Sequence, residues 1–252
     1  MVTKKRKYIR LGLGIFWLVV FSWLFYNLQA RNLESSVMES NNKVLVQNLP
    51  NAILFTPVVD TMGSALIFYP GALVDPTAYT PMAKTIAEIG FKTIIIKLPY
   101  RLALFESQED EVFQKTLEYI NSDSLNRNWV LGGHSRGGKI ATIFTLNHSN
   151  AINGLLLVGT SHPRELNLSD LTIDVTKIYG SNDGLASEEE VNQFAVNLPA
   201  DVHLVKITGG NHQQFANYGY QLGGGTADIT RQKQQEIMID AIIKQLERVQ
   251  AN

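Results

Sequence analysis

Eight residues, Leu131-Gly132-Gly133-His134-Ser135-Arg136-Gly137-Gly138, constrain this chain more than any other stretch. An apolar run at 129–131 leads in, and a helix-like run at 139–147 leads out. A strand that turns this sharply into a helix strains the backbone at its apex. Small residues must flank the apex to avoid clashes. Gly133 and Gly137 give that room, and Gly132 and Gly138 widen it. Ser135 then occupies the apex with its hydroxyl exposed above the sheet. The first turn of the following helix aims free N–H groups at the same point.

The surrounding pattern supplies the sheet that such a turn needs. From residue 65 onward, β-rich runs at 65–69, 92–98, 129–132, 154–158, 175–179 and 203–207 alternate with helical patterns at 78–89, 110–120, 139–147, 187–198 and 231–249. Central runs such as Thr93-Ile94-Ile95-Ile96 are apolar on both faces. They predict buried parallel strands with helices packed on either side. Upstream, 44–46 and 52–56 are parted by Asn48-Leu49-Pro50-Asn51 and predict an opening hairpin. The fold class expected is therefore α/β, with a mostly parallel central sheet.

The N-terminus reads differently. Lys4, Lys5, Arg6, Lys7 and Arg10 precede residues 11–28, which carry no charge. At about 1.5 Å per residue that run spans roughly 27 Å, near the thickness of a bilayer's hydrocarbon. Trp23 and Tyr26 lie toward its far end, where interfacial aromatics are favoured. The basic cluster should stay in the cytoplasm. The organisation expected is a cytoplasmic basic segment at 1–10, a transmembrane signal anchor at 11–28, a polar linker at 29–42 and one extracytoplasmic domain at 43–252. A cleaved signal peptide is the rival, with a poor cleavage match at Leu28-Gln29-Ala30. With 22 basic against 23 acidic residues, nothing points to nucleic acid as a partner. With no cysteine, a disulfide framework and a thiolate nucleophile are both excluded.

A serine hydroxyl is a weak nucleophile and needs a base, which in turn needs an orienting acid. Of the five histidines, His212 in Gly209-Gly210-Asn211-His212 lies just past the strand run at 203–207, where parallel sheets keep their sites. His134 reads as packing within the sharp turn. Asp183, in Gly180-Ser181-Asn182-Asp183-Gly184, follows the strand run at 175–179 and is the acid candidate, ahead of Asp170, Asp174 and Asp201. A developing oxyanion needs two backbone donors. The N–H of Arg136 is one. The turn Pro70-Gly71-Ala72-Leu73 offers the other, with Gly71 allowing close approach and Ala72 donating. Leu73, Phe105 and Phe215 are expected to contact substrate. Phe105 belongs to the apolar loop at 102–105, and Phe215 to the Gly- and aromatic-rich loop at 213–230. The constellation calls for no metal and no cofactor.

Taken together, Tyr69-Pro-Gly-Ala-Leu-Val-Asp-Pro-Thr-Ala-Tyr79, Ile96-Lys-Leu-Pro99, Gly133-His-Ser-Arg-Gly137, Gly180-Ser-Asn-Asp183 and Gly209-Gly-Asn-His212 resemble the bacterial α/β-hydrolase fold-5 family. That group is distantly similar to dienelactone hydrolases and carboxylesterases. The resemblance covers nearly all of the chain beyond Val44. It implies the α/β-hydrolase fold, a nucleophile elbow at Ser135, and Ser135, Asp183 and His212 as nucleophile, acid and base. It also implies an oxyanion hole at Gly71, Ala72 and Arg136, and a small-molecule, ester-like substrate. Dienelactone hydrolases use a cysteine nucleophile, which this chain lacks, so their particular activity does not carry over. An acyltransferase or peptidase with the same three residues, and a non-catalytic binding protein on the same scaffold, are the alternatives.

Overall fold

The structure, a computed structural model, describes residues 4–58, 61–123, 125 and 128–251. Residues 1–3 of the expected basic segment lie outside the described residues. A helix, α1 (Lys4–Asn27), opens the chain. Its stretch Arg6–Asn27 is long and apolar enough to cross a membrane, and its apolar residues are not buried against the protein, whereas Asn27 at its end is.

Among the described residues, eight strands form one sheet: β1 (Val44–Asn48), β2 (Ala52–Pro57), β3 (Ser64–Tyr69), β4 (Lys92–Ile96), β5 (Asn128–His134), β6 (Gly154–Val158), β7 (Asp174–Gly180) and β8 (His203–Ile207). Their spatial order is β1-β2-β4-β3-β5-β6-β7-β8. The β1–β2 hairpin is antiparallel and also pairs antiparallel with β4, while all other neighbours run parallel.

Alternation along the strands divides the core in two. Leu66, Phe68, Ile95, Val130 and Leu156 face α2 (Thr80–Glu88) and α6 (Arg231–Ala251), through Met82, Ile86, Met238 and Ile242. Ala65, Ile67, Ile94, Leu131 and Leu155 face α3 (Glu106–Ser122) and α4 (Arg136–Asn147), through Phe113, Ile140 and Phe144. The remaining helix, α5 (Glu188–Phe194), starts on Ser187, whose hydroxyl accepts from the Glu190 amide. Three glutamates in its first turn suit the positive helix end.

Registers decide which loops meet above the sheet. Tyr69 pairs with Gly133, so the turn after β3 stands beside the turn after β5. Gly180 pairs with Ile207, so the loops carrying Asp183 and His212 are neighbours. Residues 29–42 differ from the tether that their polar composition suggests. Val37 is buried in a short 3-10 turn, Ala30 bridges Tyr218, and Lys84 Nζ donates to the carbonyls of Ser36 and Glu39. Backbone and lysine hydrogen bonds fasten this segment, and neither leaves a periodic signal in sequence.

Candidate active site

Ser135 sits between β5 and α4 at φ 52° and ψ −116°, a conformation costly for a residue with a side chain. A Cβ on Gly133 would lie 2.3 Å from the Gly137 carbonyl carbon. One on Gly137 would lie 2.1 Å from the Tyr69 oxygen. Backbone crosses backbone at both points, so only glycine fits. The Ser135 amide donates to the Val158 carbonyl at 3.0 Å, which continues the β5–β6 ladder into the turn.

Asp183 and His212 are brought together. Nδ1 of His212 lies 2.9 Å from one Asp183 carboxylate oxygen and 3.1 Å from the other. Both side chains are almost fully buried. The amides of Leu185 and Ala186 donate to Asp183 Oδ1 at 2.8 and 2.9 Å, fixing the carboxylate's orientation. A carboxylate can only accept, so the Nδ1 proton faces Asp183 and the lone pair is on Nε2. That Nε2 is buried and has no hydrogen-bond partner among the described residues. No hydrogen bond joins it to the Ser135 hydroxyl. The two residues are linked through His134, which precedes Ser135 and whose ring centroid is 4.7 Å from that of His212.

The turn after β3 is tied to the elbow by a relay that sequence reasoning missed. The Gly71 amide donates to the Tyr79 hydroxyl at 2.9 Å. That hydroxyl contacts His134 Nδ1 at 2.8 Å. Burial pushes the Tyr79 phenol well up, so it keeps its proton and donates it to Nδ1. Burial first, and the nearby His212 second, hold His134 well below the usual histidine range, so it is neutral. Gly71 therefore contributes space, since a Cβ there would meet His134 Nδ1 at 3.0 Å, while its own N–H is occupied. The Leu73 amide is occupied too, by the Arg101 carbonyl. Among the described residues, the amides of Ala72 and Arg136 donate to no protein acceptor.

The three residues expected at the substrate divide. Leu73 and Phe105 are exposed, on the loops after β3 and β4. Phe215 is buried under the site, with its ring 5.6 Å from that of His134. It packs against the histidine and does not form a wall of the mouth, because the first part of this loop folds inward, burying Phe215, Ala216 and Tyr218, while Tyr220 and Leu222 further on stay exposed. Its Gly224 carbonyl accepts from the His212 amide at 3.0 Å, and Gly225 accepts from Asn211 Nδ2 at 3.0 Å.

Gln234 on α6 was also missed. Its Oε1 accepts from the Asn211 amide at 3.0 Å and its Nε2 donates to the Asn211 carbonyl at 2.7 Å. It is fully buried in the stripe Gln234, Met238, Ala241, Gln245 and Val249. A glutamine on the core-facing stripe of an amphipathic helix was the available signal.

A cleft of about 180 Å³ opens beside Ser135 between the elbow and the loop after β6. Its lining includes Arg136, Lys139 and Arg164 but no carboxylate. Arg136 is neutralised by Glu109 at 2.7 Å and Arg164 by Glu190 at 3.2 Å. Lys139 has no ion-pair partner among the described residues. His162, also on the lining, is pushed down to about 4 by burial and then by Arg164, Lys139 and Lys177. Below it, fully buried Lys177 is pushed down to about 7 by its burial and donates to the His162 carbonyl.

A strained serine between strand and helix, an Asp–His pair at the adjoining strand ends and a mostly parallel sheet define the class of α/β hydrolases. The chain belongs to the alpha/beta hydrolase family, whose model matches residues 65–236. Solved structures share the fold. A predicted CIB-like hydrolase from Thermoplasma acidophilum matches with TM-score 0.58 at 13% identity, over 80% of this chain and 99% of that one. Est1E from Butyrivibrio proteoclasticus matches with TM-score 0.56 at 15% identity, over 79% and 99%. A soluble variant of monoglyceride lipase from Saccharomyces cerevisiae, in complex with a substrate analogue, matches with TM-score 0.57 at 12% identity, over 84% and 96%. No curated protein matches the chain in sequence.

Proposed function

We propose that the protein is a membrane-anchored serine hydrolase of carboxylic esters, with its domain on the extracytoplasmic side. The observation that carries this is the Asp183–His212 pair, whose imidazole leaves Nε2 free and packs with its ring centroid 4.7 Å from that of His134, the residue before the strained Ser135. The solved structures that share the fold include a monoglyceride lipase, which agrees with ester chemistry. Ser135 attacks the carbonyl carbon, and His212 Nε2 takes the hydroxyl proton. Asp183 holds the imidazole and stabilises its positive charge. The amides of Ala72 and Arg136 receive the oxyanion. The tetrahedral intermediate collapses as His212 returns the proton to the departing alcohol, leaving Ser135 acylated. Water, deprotonated by the same Nε2, then releases the acid and restores the serine. Unliganded sites often hold the serine–histidine bond long and tighten it around substrate.

The cleft sets the acyl preference. At about 180 Å³ it is small, which suits a short acyl group. Its unpaired Lys139 disfavours a cationic one.

The test combines a fluorophosphonate probe with turnover of p-nitrophenyl acetate. The wild type should label covalently. Ser135→Ala and His212→Ala should each lose about 10⁴-fold or more of turnover, and the double variant scarcely more, because the two act as a unit. Folded wild-type protein that neither labels nor turns over ester would mark a binding protein instead.

A further inference from the structure

The C-terminal end of α1 is fastened directly to the rim of the sheet that carries Ser135. The Asp75 amide donates to the Leu28 carbonyl at 2.9 Å. The Gly219 amide donates to the Asn27 carbonyl at 2.7 Å, and the Arg31 amide to the Asn217 carbonyl at 2.8 Å. Arg101 donates to Gln29 Oε1 at 2.9 Å and lies 5.8 Å from the Phe25 ring centroid. Asp75, Arg101 and Gly219 belong to loops that leave the carboxyl ends of β3, β4 and β8, the same rim as Ser135. An apolar span held this tightly leaves its domain no slack, so the rim that receives it must lie close to the bilayer.

The depth can be read from the rings. Trp23 lies near the outer end of the span, where tryptophan prefers the headgroup level. Its ring centroid is 5.9 Å from that of Tyr220, on the loop after β8. Tyr220 therefore sits at headgroup depth. Around it the same rim exposes Leu222, Tyr100, Leu104 and Phe105, at 68, 86, 58 and 62%. The loop after β4 holds Tyr100, Arg101 and Ala103 in left-handed backbone, at φ 52°, 57° and 46°. None of these is glycine, so each conformation is costly. The loop keeps that strain while presenting apolar side chains outward, and Arg136 braces it through the Leu102 and Ala103 carbonyls. In water such an arrangement has no return; in lipid it buries what it exposes.

We propose that this rim rests on the bilayer surface through Tyr100, Leu104, Tyr220 and Leu222. The mouth of the site then opens onto the membrane interface and takes its ester from there. The substrate class is an ester with a short acyl group and a lipophilic alcohol part. The seating of the rim rests on α1 crossing the membrane, and the substrate class rests also on the hydrolase reading.

The experiment uses the full chain in phosphatidylcholine vesicles. Because the protein has no cysteine, single-cysteine variants label at one place. The variants Leu104→Cys and Leu222→Cys carry an environment-sensitive fluorophore, and Val196→Cys, exposed at the opposite end of the sheet, is the reference. Lipids with a spin label near the headgroup should quench the two rim positions several-fold and leave position 196 unchanged. Rim quenching no greater than at 196 overturns the seating, whatever the enzyme's activity. In a second arm, Leu104→Asp and Leu222→Asp should lower turnover of a bilayer-dispersed ester at least about tenfold while p-nitrophenyl acetate turnover stays at the wild-type level. Equal turnover of the dispersed ester by variants and wild type overturns delivery from the membrane. Absence of all ester turnover in the wild type would sink the hydrolase reading, and with it the substrate class, while the quenching still decides where the rim sits.

Discussion

The elbow at Ser135 and the loop that bears His212 are built on opposite plans. The elbow is local: every residue that permits it lies within 132–138, and the permission is an absence of side chains. The His212 loop is assembled from afar. Its neighbours are held by Gln234 from α6, by Gly224 from its own far limb, and by Asp183 from the loop after β7. A local device fails all at once when one atom is added. A dispersed one should weaken by increments as ties are cut, because no single tie carries the whole placement.

Gly137→Ala tests the first half of that contrast and should have the largest effect. The new Cβ would meet the Tyr69 oxygen at 2.1 Å and the Pro70 oxygen at 2.6 Å, and neither backbone atom can swing aside. Overpacking of this kind costs about 3 kcal/mol or more. Thermal unfolding should show a large loss or no folded protein at all. Any folded fraction should react with a fluorophosphonate at least about 10³-fold more slowly, because the apex would have moved. A variant with wild-type stability and labelling would remove the steric account of the elbow.

Gln234→Leu tests the second half and should do less. It leaves the amide and carbonyl of Asn211 without their partner in a buried place, at about 2 kcal/mol. The Asp183 pair and the Gly224 bond would remain, so His212 should be misplaced by degrees. Turnover of p-nitrophenyl acetate should fall about 10- to 100-fold, with covalent labelling slowed but not abolished. Gln234→Glu keeps the acceptor for the Asn211 amide and should lie between the two. A loss as complete as that of Ser135→Ala would show the loop to be as brittle as the elbow.

The same contrast explains what could be read from sequence. The strands and most helices were legible because burial on both faces leaves unbroken apolar runs, as in β4 and β6. The elbow was legible because its steric demand falls on adjacent residues. Asp183 and His212 could be picked out as loop residues just past strand runs, and the structure joins them. What sequence did not give was the set of polar partners reached across space: Tyr79 between Gly71 and His134, Arg136 on the loop after β4, and Gln234 on Asn211. Each is an ordinary residue in its own segment and gains its role only from a neighbour far along the chain. Phe215 went astray for the same reason. An aromatic in a glycine-rich loop just past the base reads as a wall of the substrate mouth, yet the inward fold of the loop's first part buries it at 1% exposure.

The smallest predicted effect separates the two sides of the cleft by proton binding. On the elbow side, burial and the cations of Arg164, Lys139 and Lys177 push His162 down to about 4 in the folded protein. Unfolded, a histidine titrates near pH 6.5. Between those values the unfolded chain binds the extra proton, so stability falls as pH drops from about 6.5 to about 4. His134, held low by its burial, adds to the slope in the same direction. In His162→Gln the part due to His162 is lost and that of His134 remains, so the slope of unfolding free energy against pH should drop by about one proton. Carboxylates that titrate at the acid end contribute to both proteins and cancel in the difference. Urea midpoints measured at intervals across the window give the comparison directly. Parallel curves for the two proteins would mean that neither burial nor the neighbouring cations hold His162 down in the folded protein.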